Sequence, residues 1–279
     1  MSKGTINKMI PFSSVDGEGN RFAIFLQNCN FNCWYCHNPE TINNCNHCGI
    51  CIEHCKTGAI TLIDGKVVYD RLKCINCDEC IKSCPRNASP KVQVLSPEEV
   101  MEEVMKVKPF IRGITVSGGE CTLQEDFLIN LFRLAQKQGL SCFIDTNGGV
   151  PLWNKPELMA VTSKVMLDVK AFDDSEHKKL TGVSSDTVIK NLTFLANENK
   201  LFEVRTVCSE IGFNNKDTVQ AVSEIVSKID PTIQYKLIKY RPFGVREKYK
   251  DKLQVPSEAY MESLRQVIRE NGLENIVIV

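Results

Sequence analysis

Short apolar runs alternate with amphipathic stretches over most of the chain. The runs are bounded by polar residues or glycine and are rich in β-branched and aromatic residues, which predicts buried strands. The predicted strands are residues 22–28, 113–117, 141–145, 164–168, 201–207, 234–240 and a short final one, 275–279. Between most of them apolar residues recur at helical spacing, and the predicted helices include residues 123–138, 186–199, 216–228 and 257–270.

This alternation is typical of an α/β protein with a parallel sheet and helical crossovers. One helix start is marked by Ser96 as a suitable N-cap, with Pro97 and two acids in the first turn. Six such strands predict a partial or full (β/α) barrel, although a doubly wound open sheet fits the periodicity equally well. Both architectures place functional sites at the carboxyl edge of the sheet. The polar residues that follow the predicted strands are Gly118, Gly119, Glu120, Asp145, Thr146, Asn147, Asp168, Lys170 and Arg241.

Charge and composition limit the range of partners. The 279 residues include 34 basic and 34 acidic side chains, so the formal net charge is zero. A surface that binds nucleic acid or anionic lipid is expected to be basic, so we expect neither a nucleic acid nor a membrane partner. No apolar run reaches the length of a membrane span, and the first residues lack the apolar core of a signal peptide. A cytoplasmic location is therefore expected.

Cysteine is the residue in informative excess. The chain has 14 cysteines, and 11 of them lie between Cys29 and Cys84. Without a signal peptide, metal ligation is a better expectation than a disulfide scaffold, which would also leave most of the chain without cross-links. The crowded cysteines therefore predict a metal-binding segment.

Within this segment one four-cysteine pattern, C-x2-C-x2-C-x3-C, occurs twice. Such runs bind three iron atoms of one [4Fe–4S] cluster, and the fourth cysteine of each run reaches the other cluster. The pattern therefore predicts two clusters, as in bacterial two-cluster ferredoxins. A structural zinc site is the alternative, but zinc ribbons usually use two cysteine pairs. The predicted ligand sets are Cys45, Cys48, Cys51 and Cys84 for one cluster, and Cys74, Cys77, Cys80 and Cys55 for the other.

A separate triad, Cys29, Cys33 and Cys36, follows the first predicted strand with the spacing C-x3-C-x2-C. Three thiolates hold three irons of a cubane and leave the fourth iron open to a chelating ligand. A structural metal site that borrows a distant fourth ligand is the alternative, with Cys121, Cys142 or Cys208 as donors. On spacing alone both interpretations stay open.

The triad, with the aromatic Tyr35 before its last cysteine, resembles the signature of radical S-adenosylmethionine (SAM) enzymes. The stretch Tyr35-Cys36-His37-Asn38-Pro39-Glu40 resembles the glycyl radical enzyme activases, the family of pyruvate formate-lyase activating enzyme. A ferredoxin-like segment directly after the triad is similar to the larger members. The resemblance implies a partial (β/α)6 barrel of residues 1–43 and 91–279, with residues 44–90 as a ferredoxin-like insert. It also implies three [4Fe–4S] clusters, one of which binds SAM.

The same resemblance implies roles for the polar residues at the carboxyl edge. Gly118, Gly119 and Glu120 match a motif that contacts the SAM ammonium, although a tight turn with a capping glutamate is the alternative. Lys170 lies in a D-x-K motif near SAM and is, with the triad, a candidate catalytic residue. A monovalent cation, Na⁺ or K⁺, is implied beside the SAM carboxylate; its implied ligands are Asp145, Thr146, the carbonyl of Met166, and Asp168.

Four further residues are implied to lie beside SAM, namely Tyr35, His37, Val169 and Arg205. For Arg205 a surface position on an edge strand is the alternative. Arg241 stands where smaller activases carry a histidine against the adenine, and a guanidinium also stacks on a purine.

The activity implied is reductive cleavage of SAM, followed by abstraction of a hydrogen atom from a glycine Cα of a partner glycyl radical enzyme. The insert is expected to relay electrons from a flavodoxin or ferredoxin, with docking of the partner as its rival role. Three alternatives remain open: a radical SAM enzyme acting on a small molecule, a ferredoxin-type electron-transfer protein, and a zinc-binding interaction module.

Overall fold

The computed structural model of the protein describes residues 2–279. Its strands are β1 (Gly4–Ser13), β2 (Arg21–Leu26), β3 (Ile60–Ile63), β4 (Lys66–Tyr69), β5 (Gln93–Leu95), β6 (Gly113–Gly118), β7 (Ser141–Thr146), β8 (Lys164–Asp168), β9 (Leu201–Cys208), β10 (Gln234–Lys239) and β11 (Ile276–Ile278). Its α-helices are α1 (Glu79–Lys82), α2 (Pro97–Met105), α3 (Glu125–Lys137), α4 (Pro156–Val161), α5 (Asp174–Thr181), α6 (Asp186–Asn197), α7 (Asn215–Ile229), α8 (Glu247–Lys250) and α9 (Glu258–Glu270).

The strands form one nine-stranded sheet in the order β11-β10-β9-β8-β7-β6-β2-β1-β5, and β3 pairs with β4 separately. From β2 to β11 every pairing in this sheet is parallel, which confirms the predicted α/β class. The doubly wound alternative is wrong, because that topology reverses its strand order and this run does not. Right-handed crossovers then put the helices on one face. Within residues 2–279 the outermost strands β5 and β11 do not pair, so the curved wall stays open, as in a partial barrel.

The helices begin and pack as their sequences predict. At the start of α2, Ser96 and Glu99 exchange side-chain bonds with each other's backbone N–H in a capping box, and Pro97 occupies the first turn. In α3 the buried residues recur at helical spacing along one face, which packs on the sheet. Each fully buried Leu or Phe on such a face contributes about 1.5–3 kcal/mol through removal of apolar surface from water. None of the helices in residues 2–279 is both long and apolar enough to cross a bilayer.

The amino ends of the central strands are filled by Arg21, which is 1% exposed. Its guanidinium donates to the hydroxyl of Thr115 at 2.6 Å, to the carbonyl of Ile114 at 2.7 Å and to the carbonyl of Ser141 at 3.0 Å. It also lies 3.8 Å from the centre of the Phe143 ring. These contacts join β2, β6 and β7 at the end opposite the predicted site.

Residues 44–90 carry the β3–β4 hairpin and the short helix α1. The hairpin turns at Asp64 and Gly65, both of which have positive φ, as a two-residue turn of this kind requires. A small cluster of buried residues that includes Cys51, Ile60 and Cys80 lies apart from the main core. The nine-stranded sheet nevertheless continues directly after this segment, because β5 pairs with β1.

Candidate functional site

Most of the predicted site residues meet at the carboxyl ends of β2, β6, β7, β8 and β9. The parallel pairings align these ends, so the loops that follow the strands share one edge of the sheet. The triad loop follows β2, the Gly-Gly-Glu turn follows β6, and the acids end β7 and β8. The structure therefore brings the candidate cluster ligands next to the candidate SAM residues.

The three triad thiols are neighbours in a partly buried loop. The backbone N–H of Cys36 donates to the carbonyl of Cys33 at 3.3 Å, which folds the loop back on itself. The backbone N–H of Phe31 lies 3.4 Å, and the amide nitrogen of Asn147 lies 3.6 Å, from the sulfur of Cys29. Burial raises the pKa of Cys29 and of Cys33 to about 12. Bound metal reverses this preference, because a coordinating thiol is deprotonated outright.

The remaining cysteines outside the insert have contacts of their own. Cys121, Cys142 and Cys208 are each 0% exposed, and their thiols lie 3.3, 3.7 and 3.6 Å from backbone carbonyl oxygens. All three are thus buried residues whose thiols contact the backbone of the fold. Within residues 2–279, no three Cys, His, Asp or Glu side chains are grouped as ligands of a single metal ion. A four-iron cubane makes a different demand, since each of its thiolates binds a different iron.

The two glycines after β6 are required by a close approach to β2. A side chain on Gly118 would place its Cβ 2.1 Å from the backbone nitrogen of Leu26, and φ is +123° there. A Cβ on Gly119 would lie 2.2 Å from the carbonyl oxygen of Asn28. The backbone N–H of Gly119 instead donates to the carbonyl of Leu26 at 2.9 Å. These contacts fix the Gly-Gly-Glu turn against the start of the triad loop.

Glu120 is fully buried, and its carboxylate is surrounded by donors from the protein. One oxygen accepts from the N–H and hydroxyl of Thr122, at 3.1 and 2.6 Å, and from the hydroxyl of Thr146 at 2.8 Å. The other accepts from the backbone N–H of Asn147 at 2.8 Å. Burial raises the pKa of Glu120, and these bonds oppose the rise. The bonds to Thr122 match the capping alternative, and those to Thr146 and Asn147 join β6 to β7.

A network of ion pairs lies between the ends of β7, β8 and β9. The Nε of Arg205 donates to Asp168 at 2.7 Å, its Nη2 contacts Asp145, and Lys170 donates to Asp168 at 2.7 Å. Ser117 donates to the second oxygen of Asp145 at 2.8 Å. The surface alternative for Arg205 is wrong, because β9 lies between β8 and β10 and the side chain is 9% exposed. Arg205, a cation of the chain itself, therefore lies between the two neighbouring acids.

The pKa values of Arg205 and Lys170 keep both side chains of this network positively charged at neutral pH. Burial lowers the pKa of Arg205 to about 10, which leaves the guanidinium charged at neutral pH. Burial alone would lower the pKa of Lys170, but the nearby negative charge of Asp168 raises it above its ordinary value. Two cations thus balance the two carboxylates.

Three members of this site, Ser117, Glu203 and Lys236, are not predicted by the sequence patterns. Glu203 is 0% exposed; it accepts from Lys236 at 2.8 Å and from Gln234 at 2.8 Å, and it lies 3.8 Å from Arg205. One signal was available, because residues two apart on a strand share a face and Glu203 stands two before Arg205. Lys236 could be found only from the register of β9 with β10.

The remaining residues expected beside SAM, the cation or the adenine lie in different environments. The Nε2 of His37 lies 3.1 Å from the carbonyl oxygen of Arg241, whose side chain is exposed. Tyr35 is 4% exposed, and its hydroxyl has no hydrogen-bond partner within residues 2–279. Met166 and Val169 are both fully buried. Arg241 thus contacts the triad loop through its backbone carbonyl, and its side chain is exposed.

The insert cysteines fall into neighbouring groups. A small cavity is lined by four of them, Cys55, Cys74, Cys77 and Cys80. Burial raises the pKa of Cys51 to about 11, and the charges of Cys45, Cys80 and Cys84 add to the rise, so those thiols lie near it. Each neighbourhood thus contains cysteines from both runs of the repeated pattern.

A polar cleft of about 450 Å³ separates the insert from the triad loop. Its walls carry Cys29 and Asn30 on one side and Arg86 and Asn87, which follow the last insert cysteine, on the other. The side chain of Asn43 donates to the carbonyl of Arg86 at 2.8 Å and ties the two sides together. The residues that directly follow Cys84 therefore face the triad loop.

Comparison with known proteins agrees with this arrangement. The model of the radical SAM superfamily matches residues 23–208. A model of cyclic phosphodiesterase-like proteins matches residues 176–276, less than half of the chain. The pyruvate formate-lyase-activating enzyme of Streptococcus mutans is 30% identical over 250 residues, which cover 86% of this chain and 79% of the relative.

A second relative and a solved structure span the whole chain. The indoleacetate decarboxylase activating enzyme of Tractidigestivibacter scatoligenes is 28% identical over 308 residues, covering 99% of this chain and 97% of the relative. The crystal structure of QueE from Escherichia coli has the same fold with a TM-score of 0.51, at 15% identity, covering 99% of this chain and 94% of that one. The chain therefore belongs to the radical SAM superfamily and, within it, to the pyruvate formate-lyase activating enzyme family.

Proposed function

We propose that this protein activates a glycyl radical enzyme by abstracting a hydrogen atom from a glycine Cα of that partner. The observation that carries the proposal is the triad of neighbouring thiols set against the ion-pair network of Arg205, in a chain whose relatives are activating enzymes over nearly its full length. Abstraction at a glycine Cα is favoured because the product radical lies between an amide nitrogen and a carbonyl.

Membership of the superfamily implies one [4Fe–4S] cluster and SAM. The triad supplies three thiolates, and the two N–H groups beside Cys29 suit a sulfur that carries negative charge. When bound, the cluster supplies the electron that cleaves SAM to methionine and the 5′-deoxyadenosyl radical. The positions of Cys29, Cys33 and Cys36 therefore suit a cubane with one iron left for SAM.

The protein's own charges suit the two ends of the SAM amino acid. Arg205 and Lys170 both contact Asp168 at the sheet edge that carries the triad loop, and they would attract the carboxylate of SAM, whereas the turn at Gly118 and Gly119 leaves backbone carbonyls for its ammonium. The fully bonded Glu120 would then act mainly by holding that turn in place.

A Na⁺ or K⁺ ion beside the SAM carboxylate is part of the proposal. Two carboxylates, Asp145 and Asp168, would carry its charge, with Thr146 and the carbonyl of Met166 as the remaining ligands. In the structure the guanidinium of Arg205 bridges these carboxylates. Binding of the ion therefore requires Arg205 to turn away from them, toward the SAM carboxylate.

For the insert, residues 44–90, we propose two further clusters that relay electrons from a flavodoxin or ferredoxin. The grouping of the insert cysteines supports two clusters, and the cleft places the residues just after Cys84 opposite Cys29. Cys55, Cys74, Cys77 and Cys80 would hold one cluster. Cys45, Cys48, Cys51 and Cys84 would hold the other, whose ligand Cys84 directly precedes the cleft residue Pro85. Both clusters would supply one-electron transfer.

The function is tested with Cys33→Ala, assayed anaerobically with dithionite and SAM. We expect 5′-deoxyadenosine formation to be abolished, because two thiolates cannot hold the cubane. Cys142→Ala is the matched control, since Cys142 is also buried but lies in β7 with no triad contact. Persistent cleavage in Cys33→Ala would reject the triad as the catalytic site.

The identity of the substrate is tested separately. Wild-type protein, SAM and dithionite are incubated anaerobically with a candidate partner, a large protein that has a C-terminal glycine-radical segment. We expect an electron paramagnetic resonance doublet on the partner. Formation of 5′-deoxyadenosine without any protein radical would favour a small-molecule substrate instead.

The relay is tested with Cys77→Ala. We expect slower glycyl radical formation with reduced flavodoxin as donor and an unchanged rate with dithionite, which reaches the catalytic cluster directly. Equal rates with flavodoxin for variant and wild type would contradict the relay and favour a docking role for the insert.

A further inference from the structure

Two aromatic rings stack on the outer side of the triad loop. Trp34, between the second and third triad cysteines, lies parallel to Tyr249 with 5.5 Å between the ring centres and 14° between the planes. The backbone N–H of Trp34 donates to the carbonyl of Leu180 at 3.0 Å, which fixes the loop to the end of α5. The stack and this hydrogen bond together join the triad loop after β2 to helix α5 after β8 and helix α8 after β10.

Basic side chains surround this stack. Lys179 and Lys252 lie 5.3 and 4.9 Å from the centre of the Trp34 ring, and Arg246 and Lys248 each lie 4.8 Å from that of Tyr249. We call these six residues, the two rings and the four cations, the aromatic-basic face.

None of the four cations has an acidic partner within residues 2–279, since Arg246 donates only to Asn32 and to the carbonyl of Cys33. No carboxylate in residues 2–279 lies within ion-pair distance of Lys179, Lys248 or Lys252, whereas the adjacent Lys178 and Lys250 are each paired with an acid of their own helix. A cation over an exposed aromatic ring gains only about 0.5–1 kcal/mol, so most of the electrostatic attraction of these charges remains available. In a chain whose net charge is zero, this is a local excess of positive charge.

We infer that the aromatic-basic face docks an acidic segment of the protein substrate, close to its reactive glycine. This inference rests on the proposed function. A complementary charge pattern steers such an encounter and fixes its orientation. The face borders the carboxyl edge, where the glycine must arrive. Phe243, which is 87% exposed in the loop between β10 and α8, adds an apolar contact. The electron donor is not expected to bind this face, because its proposed binding site is the insert, residues 44–90.

Direct binding is tested first with a fluorescein-labelled octaglutamate peptide, by anisotropy at low salt. We expect Lys248→Glu/Lys252→Glu to weaken its binding at least about tenfold, as electrostatic association allows. The matched control is Lys137→Glu/Lys190→Glu, which changes the net charge equally at two exposed lysines on α3 and α6. Equal affinity of both variants for the peptide would overturn the inference.

The second test uses the candidate glycyl radical enzyme, with dithionite as reductant so that no protein donor is needed. We expect the Lys248/Lys252 variant to raise KM for the partner about tenfold, with kcat and partner-free SAM cleavage unchanged, and to lose the salt dependence of KM. The control variant should match wild type.

The outcomes separate the inference from the function on which it rests. An unchanged KM overturns the inference but leaves the function intact. A defect seen only with flavodoxin as reductant also overturns it, because the face then docks the electron donor. If the wild type forms no radical on the partner, the proposed function fails, while the peptide experiment still reports on the face.

Discussion

Replacing Arg205 with methionine removes the guanidinium that joins the ends of β7 and β8 and keeps most of the aliphatic volume. Asp145 and Asp168, 14% and 22% exposed, then lose their shared cation. Breaking a buried ion pair by removing one partner costs about 3–5 kcal/mol. Lys170 and Ser117 each keep one bond to these acids, so we expect the lower end of this range, about 3 kcal/mol.

Urea denaturation of the metal-free, reduced protein measures this loss as a lower midpoint at constant slope. A loss of this size corresponds to a fall in Tm of roughly 6–12 °C in a chain of this class. Arg133→Met is the matched control, since Arg133 pairs with Glu157 at 3.2 Å but the two side chains are 51% and 73% exposed. Exposed pairs contribute about 1 kcal/mol at most.

A double variant tests whether the cost comes from the stranded charge. Adding Asp145→Asn to Arg205→Met removes one of the two uncompensated carboxylates, so the double variant should be less destabilised than the sum of the single changes. Additive losses, or a loss for Arg205→Met no larger than that for Arg133→Met, would refute the role given to the guanidinium.

Two further predictions concern the turn after β6 and a buried histidine. Gly119→Ala should lower the free energy of unfolding in urea by about 3 kcal/mol or more, because the new Cβ would lie 2.2 Å from the carbonyl oxygen of Asn28. Gly139→Ala is the control; its Cβ has open space, so it should lose only about 1–2 kcal/mol through backbone strain. Equal losses in the two variants would contradict the role of the Asn28 contact. Burial lowers the pKa of His177, so the unfolded chain takes up a proton more readily and stability should fall as pH drops below about 6.5. His177→Gln should therefore lose less stability than wild type between pH 7.5 and 5.5, and an identical fall would exclude this source.

The sheet could be predicted because its central strands are buried on both faces and their sequences are continuous apolar runs. The strands that escaped prediction are of another kind. β1 mixes polar and apolar residues and contains Pro11, and its neighbour β5 has only three residues. Both lie at the antiparallel edge, where register with β2 rather than local pattern decides the structure.

The β3–β4 hairpin was missed for a different reason. Asp64-Gly65 between two apolar runs is a strong hairpin signal. The two strands have only four residues each and lie between two cysteine runs, whose spacing predicts metal-binding loops for this segment.

For the site, spacing identified the triad, and polarity after strands identified the acids. Contacts between strands cannot be predicted from the sequence pattern, because the pairing of Arg205 with Asp145 depends on the register of three strands. The bonds of Glu120 likewise depend on the backbone position of Asn147, which no pattern in the sequence encodes.

Arg21 and its bonds fill the space between the amino ends of β2, β6 and β7. Small molecules therefore have no route between these strand ends, and they would enter and leave at the carboxyl edge, which a bound protein partner would partly cover. Methionine and 5′-deoxyadenosine would then be released faster once that partner has dissociated. Dissociation of the partner would thus contribute to the rate of turnover, and a moderate affinity for it is an advantage.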